Sequence, residues 1–370
     1  MSSRIRVALV FGGTSSEHSI SCLTAASVLG AIDRTRFDVC CLGIARSGRW
    51  TQVAEEEVAA YAIVDGRPPE VAEPEADTVW LASDRGSQIA TRVGGSLVDV
   101  SEIDVAFALL HGPFGEDGTI QGLFELMGIR YVGCGVTSSA VGMDKQFMRQ
   151  AFAANGLPVG PYVVASNHRW LQHRDEVLAE ASTLRFPVFV KPCRGGSSIG
   201  ISRVTDPDSL VAAIEHAREF DPKVIVEEGI PGREIECAVL GDPDSPEGCE
   251  ASPLGEVRVL AEGGFYDYET KYFDETGAAL DIPAVVEPEV AKRIQSLAKQ
   301  AFRALDCEGL ARADFFLTPE GEVFINEVNT MPGFTRISMF PSLWHSTGMS
   351  YGQLVTRLID LALERRVGLR

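Results

Sequence analysis

Two strand-length segments near the C-terminus, Leu310 to Leu317 and Glu322 to Val328, constrain this chain more than any other feature. Side chains along a strand alternate faces, so residues two apart point the same way. Arg312 and Asp314 therefore share one face, as do Glu327 and Asn329. A hairpin turning at Pro319-Glu320-Gly321 brings two carboxylates, a carboxamide and a guanidinium onto one surface. The neighbouring Phe315, Phe316, Phe324 and Ile325 imply a buried sheet, where unpaired acids are costly. That argues against a merely charged surface hairpin. Hard oxygen donors so arranged suit Mg²⁺, which one or two carboxylates hold together with substrate phosphates. The adjacent arginine can then meet charge that develops in a transition state.

At 370 residues the chain calls for two or three domains. Its net charge of −19 excludes general nucleic-acid binding, which needs a basic surface, but leaves room for a nucleotide held by a few placed lysines. No apolar run approaches the roughly 20 residues needed to span a bilayer, so no membrane partner is expected. Residues 1–13 run straight into a strand without a cleavable signal, so the expected location is cytoplasmic. None of the eight cysteines forms a C-x-x-C pair, so zinc and a disulfide framework are not expected.

The N-terminal part alternates strand and helix. Residues 4–11 are an apolar strand, Gly12 to Glu17 a turn, and Ser19 to Ala31 has helical spacing. Strands are expected at Phe37–Ile44 and Val105–Leu110, which makes an open α/β layer. Residues 51–100 read as an acidic excursion with short edge strands. Further on, a helix is expected over 144–155. Strands are expected at Tyr162–Ala165, Phe186–Lys191, Ile201–Val204, Val224–Glu227, Glu234–Leu240 and Gly255–Leu260. Residues 261–286 read as a long loop of functional length, and a helix over Met349–Arg365 ends the chain.

Lys191 followed by Arg194-Gly195-Gly196-Ser197-Ser198 is the strongest phosphate signal, because glycines let backbone N–H groups converge on an anion. It is not a Walker A loop, and neither Gly12-Gly13 nor Gly133-Cys134-Gly135 completes a dinucleotide fingerprint. Glu17 is either a charge matched to a helix N-terminus or an acceptor for a substrate amine. His111 follows a buried strand, where an α/β layer places its ligand loops. In the run Glu227-Glu228-Gly229-Ile230, backbone groups can read an adenine edge, and an acid there can hold ribose hydroxyls.

Taken in order, these pieces resemble the ATP-grasp ligases and, within them, the D-alanine–D-alanine ligases of peptidoglycan synthesis. The resemblance rests on Gly12-Gly13-Thr14-Ser15-Ser16-Glu17, His111-Gly112 with Gly115-Glu116-Asp117-Gly118, and Met143-Asp144-Lys145. It continues through Val190-Lys191-Pro192 with Gly196-Ser197-Ser198, Tyr266-Asp267-Tyr268 with Lys271-Tyr272, and Glu327 to Gly333. It implies an α/β chain of the three-domain ATP-grasp fold with an N-terminal open α/β layer. The first domain, 1–140, would bind the first D-alanine. The central domain, 141–225, carries the glycine-rich loop, and the C-terminal domain, 226–370, carries a lid at 261–286 and the magnesium site.

Residue by residue, the resemblance implies that Lys145, Lys191 and Ser198 serve the ATP phosphates. It puts Glu227, Glu228, Gly229, Ile230 and Glu234 on adenine and ribose. Asp314, Glu327 and Asn329 would bind two Mg²⁺, with Mn²⁺ able to substitute. Lys271 would contact the transferring phosphoryl group, and Arg312 with the Gly333 N–H would form an oxyanion hole. His111 and Ser338 would contact substrate carboxylates, while Glu17, Ser197 and Tyr272 would position the first D-alanine and close the site. A homodimer is the oligomer that the family implies. Two rivals share the scaffold: a ligase forming D-alanyl-D-lactate, which Tyr272 in place of a His argues against, and a non-catalytic nucleotide-binding protein, which the intact Arg312, Asp314, Glu327 and Asn329 argue against.

Overall fold

In a computed structural model that describes residues 4–83, 86–242, 248–259 and 278–366, the chain builds four sheets. The N-terminal part runs β1 (Ile5–Gly12), α1 (His18–Leu29), β2 (Phe37–Ile44), β3 (Trp50–Gln52) and α2 (Glu55–Ala59). There follow β4 (Asp77–Ser83), β5 (Gly86–Val93), β6 (Ser96–Ile103), β7 (Val105–Ala108), α3 (Thr119–Met127) and β8 (Arg130–Tyr131). The first sheet has the order β3-β2-β1-β7-β8. Strands β1, β2, β7 and β8 are parallel, and β3 joins the edge antiparallel. Residues 7–12 of β1 and all of β7 are buried, as expected where both faces of a parallel sheet are covered. Over residues 51–100 the expectation of short edge strands holds for β3 alone: β4, β5 and β6 are seven or eight residues long and form an antiparallel sheet of their own. A chain of edge-on aromatics, Trp50, Trp80 and Phe124, ties that sheet to the first.

Helices α4 (Val136–Met143) and α5 (Lys145–Ala154) lead into the second sheet. Its elements are β9 (Tyr162–Ala165), α6 (Asn167–Gln172), α7 (Arg174–Ala181), β10 (Val188–Pro192), β11 (Ser202–Val204), α8 (Leu210–Arg218) and β12 (Val224–Glu228). Strands β10 and β11 form the expected hairpin around the glycine-rich loop.

The third sheet contains β13 (Arg233–Gly241), β14 (Cys249–Val259) and β15 (Ala278–Asp281), then β16 (Gly309–Leu317) and β17 (Val323–Asn329) after α9 (Pro288–Ala304). Helices α10 (Met339–His345) and α11 (Tyr351–Glu364) end the chain. Residues 278–281 were expected inside a loop but pair with β14. The segment Ala-Ala-Leu-Asp is too short to show a period, so its strand state comes from an available neighbouring edge. The rest of the expected lid through residue 277 lies outside the described residues. Strand β14 also begins six residues before its expected start, running through Ser252-Pro253, a pair that reads as a breaker.

Two packing relationships position the site. Met148 and Phe152 of α5 are buried in the core of the third sheet, with Ile235, Phe302 and Phe315. The C-terminal helices share a core with the first sheet, where Phe334 and Phe340 meet Phe107 and Leu9. The three main sheets therefore converge on one cleft.

Candidate active site

The cleft has a volume of about 650 Å³. The loops after β1 and β7 enter it from the C-terminal ends of parallel strands, where an open α/β layer leaves its backbone accessible. The N-terminus of α5, the glycine-rich loop, the β12–β13 connection and one face of the third sheet form the other walls.

At one end, the Lys191 ammonium lies 2.8 Å from Oε2 of Glu227. Arg149 Nε donates to Oε1 of the same carboxylate at 2.8 Å, and its Nη1 donates to the Ile325 carbonyl at 2.7 Å. Burial alone would push the Glu227 carboxyl up, but the Arg149 and Lys191 charges outweigh it and hold the group at about 2. Lys145 follows Asp144, whose side chain caps α5 by accepting from the backbone N–H of Gln146 and Phe147. Its Nζ donates to the Gly195 carbonyl at 3.0 Å and stands 3.8 Å from Glu327. Phe189 and Ile230 supply apolar wall, while Glu228 lines the cleft with Oε1 accepting from the Arg185 N–H at 2.9 Å. Glu234 and Ser198 line it as well, but Gly229 does not. Its N–H donates to Pro187 O at 2.8 Å, and a Cβ there would lie 2.8 Å from that oxygen, so this position needs glycine for backbone packing.

The hairpin of β16 and β17 has the expected face. Asp314 pairs in register with Glu327, and Arg312 with Asn329. Arg312 Nε and Nη2 donate to the two oxygens of Asp314 at 2.7 and 2.8 Å, and Asn329 Nδ2 donates to Asp314 Oδ2 at 2.9 Å. Burial opposes the charge on Arg312, but Asp314 and Glu236 keep it protonated well above its ordinary range. Two directly opposed carboxylates repel unless a cation lies between them. Among the described residues no three His, Cys, Asp or Glu side chains cluster as a metal cage. The donor set is two carboxylates and an amide oxygen facing an open cleft, which fits Mg²⁺ completed by phosphate oxygens.

At the third wall, Glu17 occupies the N-cap position of α1 without capping it. Its buried carboxylate instead accepts from Ser197 Oγ at 2.5 Å. Gly112, at φ +70°, packs against the same carboxylate, and a Cβ there would lie 2.5 Å from Glu17 Oε2. His111 is buried with its Nδ1 3.2 Å from the Met331 carbonyl. Gly333 lines the cleft, but Ser338 stands behind it, with its Oγ 2.7 Å from Thr335 Oγ1 and accepting from the Thr335 N–H. Lys271 and Tyr272 lie outside the described residues.

Sequence reasoning missed Arg149 and Glu236. Arg149 lies four residues after Lys145 on α5, the spacing that puts two side chains on one helix face. Glu236 alternates with Glu234 on β13, so their shared face was readable, although its partner across the sheet was not.

A family model described as D-ala D-ala ligase N-terminus matches residues 6–134, and one described as D-ala D-ala ligase C-terminus matches residues 151–360. The chain belongs to the D-alanine–D-alanine ligase family. The D-alanine–D-alanine ligase of Mycolicibacterium gilvum is 51% identical over 379 residues, covering 100% of each chain. That of Mycobacterium tuberculosis is 51% identical over 372 residues, covering 99% of this chain and 97% of its own. Among solved structures, the VanG D-Ala:D-Ser ligase of Enterococcus faecalis superposes with a TM-score of 0.81 at 35% identity, covering 97% of this chain and 100% of that one. The D-alanine–D-alanine ligase of Coxiella burnetii gives 0.80 at 30%, covering 98% and 94%. The family's ATP-grasp fold is the mixed α/β architecture described above.

Proposed function

We propose that this chain joins two D-alanines into D-alanyl-D-alanine while ATP becomes ADP and phosphate, as the names of its full-length relatives indicate. The observation that carries the reading is the single cleft where Lys145, Lys191, Arg312, Asp314, Glu327 and Asn329 face the Glu17–Ser197 pair. A carboxylate is a poor acyl donor because oxide does not leave. Transfer of the ATP terminal phosphoryl group to the first D-alanine carboxylate gives an acyl phosphate, and the second amine then displaces phosphate.

Lys145 and Lys191 neutralise nucleotide phosphate charge, and Arg312 with the Gly333 N–H meets the oxyanion of the tetrahedral intermediate. Asp314, Glu327 and Asn329 would hold Mg²⁺, which when bound spreads the charge of the transferring phosphoryl group. Glu17 orients the first amino acid, with Ser197 holding the glycine-rich loop over it. His111, which lines the cleft, and Ser338, which lies next to the lining residue Gly333, are the proposed carboxylate contacts. Glu227, Glu228, Ile230 and Glu234 form the adenine and ribose wall.

Three units, 1–140, 141–225 and 226–370, suit the sheet order, with α5 docked on the third sheet. A cytoplasmic homodimer follows from the family resemblance. No helix among the described residues is long and apolar enough to cross a membrane.

The test is nucleotide release on mixing the protein with ATP, Mg²⁺ and one amino or hydroxy acid at a time. D-Alanine should yield ADP, phosphate and D-alanyl-D-alanine; AMP with pyrophosphate would overturn the acyl-phosphate route. D-Serine and D-lactate belong in the same assay as second nucleophiles, because a D-Ala:D-Ser ligase is among the structural neighbours.

A further inference from the structure

Two neighbouring rows on the cleft face of the third sheet hold a conflict. In register, Glu236 of β13 pairs with Asp314 of β16, which pairs with Glu327 of β17, so three carboxylates stand in one line. Arg312, one row along, is the counter-charge. It grips both oxygens of Asp314 and also approaches Glu236, with Nε 2.9 Å from Oε2. Yet the proposed function needs Asp314 for a divalent cation and Arg312 for the reacting carbonyl. Asp314 already accepts three N–H donors, two from Arg312 and one from Asn329, so a metal ion drawing on its oxygens competes with Arg312 for the same carboxylate. A guanidinium released by Asp314 would swing toward other acceptors unless a second oxygen, fixed at the right distance, held it.

We propose that Glu236 is that second anchor, a positioning residue that keeps Arg312 aimed at the reacting carbonyl when Asp314 engages a divalent cation. The inference rests on the metal and oxyanion roles proposed above. Glu236 is 8% exposed and fixed on the central strand of the sheet, and its partner Arg312 is 6% exposed, so neither has room to wander. Both line the cleft. Glu236 does not itself reach substrate in this account; it acts through Arg312.

Two conservative variants separate reach from charge. Glu236→Gln keeps the oxygen at its distance and removes the charge. Glu236→Asp keeps the charge and withdraws it by one methylene. Positioning predicts that Glu236→Gln stays close to wild type in kcat, whereas Glu236→Asp loses about 100-fold in kcat with little change in the KM for D-alanine.

A second readout needs no turnover: calorimetric titration of MgCl₂ into the full-length protein saturated with ADP. In Glu236→Asp, Arg312 stays on Asp314, and the half-saturating Mg²⁺ concentration should rise about tenfold. In Glu236→Gln it should stay near the wild-type value. The reverse order, with Gln worse than Asp in both readouts, would assign the effect to the Glu236 charge acting on the metal and overturn the proposal. Wild-type behaviour of both variants would overturn it too. If the wild-type protein fails to release ADP from ATP with D-alanine, the ligase reading falls, while the Mg²⁺ titration still decides whether Glu236 frees Asp314 from Arg312.

Discussion

Ser197 and Glu17, separated by 180 positions in sequence, are joined by a 2.5 Å hydrogen bond that ties the glycine-rich loop of the second sheet to the first helix of the chain. Ser197 adopts a positive φ of 51°, a conformation that is costly for a serine and is sustained by this contact and the glycines before it. The closed position of the loop is thus stabilised by a side chain that also faces the amino-acid end of the cleft.

Ser197→Ala should therefore lower kcat by about 10- to 100-fold while leaving the melting temperature near wild type. Initial rates of ADP release, with a thermal melt on the same preparation, check this. A kcat within twofold of wild type would show that the Glu17 contact is not used in turnover.

Glu327→Gln should keep the fold and lose activity on the order of 100-fold, because a neutral amide is a weaker ligand for a hard cation than a carboxylate. The same change relieves the repulsion between the paired residues Asp314 and Glu327, so stability should not fall. Rates measured across a Mg²⁺ series and a denaturant curve together decide it. Full activity at ordinary Mg²⁺ would remove Glu327 from the metal site.

Arg149→Met should destabilise the protein by about 3 kcal/mol, since it leaves the buried Glu227 with one cation in place of two. The pH dependence has a definite sign. The Glu227 carboxyl is lowered in the folded state from 4.5 to about 2, so its contribution is fully present above 4.5 and is lost as pH falls toward 2. Without Arg149 the folded-state value rises, so the acid loss of stability still begins near 4.5 but is smaller and ends at a higher pH. Urea unfolding between pH 3 and 7 reads both effects. Parallel curves for the two proteins would show that Arg149 does not hold Glu227 ionised.

Cys193 lies between Lys191 and the glycines, where a reactive thiol could be mistaken for chemistry. Burial pushes its pKa up to about 12, so at pH 8 it remains a thiol and a poor nucleophile. Iodoacetamide at pH 8 should leave Cys193 unlabelled in the folded protein by peptide mass mapping, and activity should persist. Rapid labelling of Cys193 in the native state would contradict the packing beneath the loop.

Much of the catalytic surface was legible because it is written locally. The alternation in Arg312-Ala313-Asp314 and Glu327-Val328-Asn329 was readable within 18 residues, but a regular hairpin from the turn at Pro319-Glu320-Gly321 would set Glu327 opposite Ala313; the register shift between Asp314 and Phe315 is what brings Glu327 opposite Asp314. The glycine-rich hairpin and the strand–turn–helix that carries Glu17 were readable for the same reason.

What the sequence by itself determined, then, is which residues share a face, where the chain turns and in which order the motifs come. Tertiary structure alone decided the partners. It brought Arg149 to Glu227, Glu236 to Arg312 and α5 into the core of the third sheet; it turned residues 278–281 into an edge strand and put Ser338 behind Gly333. A side chain's face follows from a backbone period of two or 3.6 residues. Its charge partner across a sheet depends on which strands become neighbours, and that is settled by burial over the whole chain.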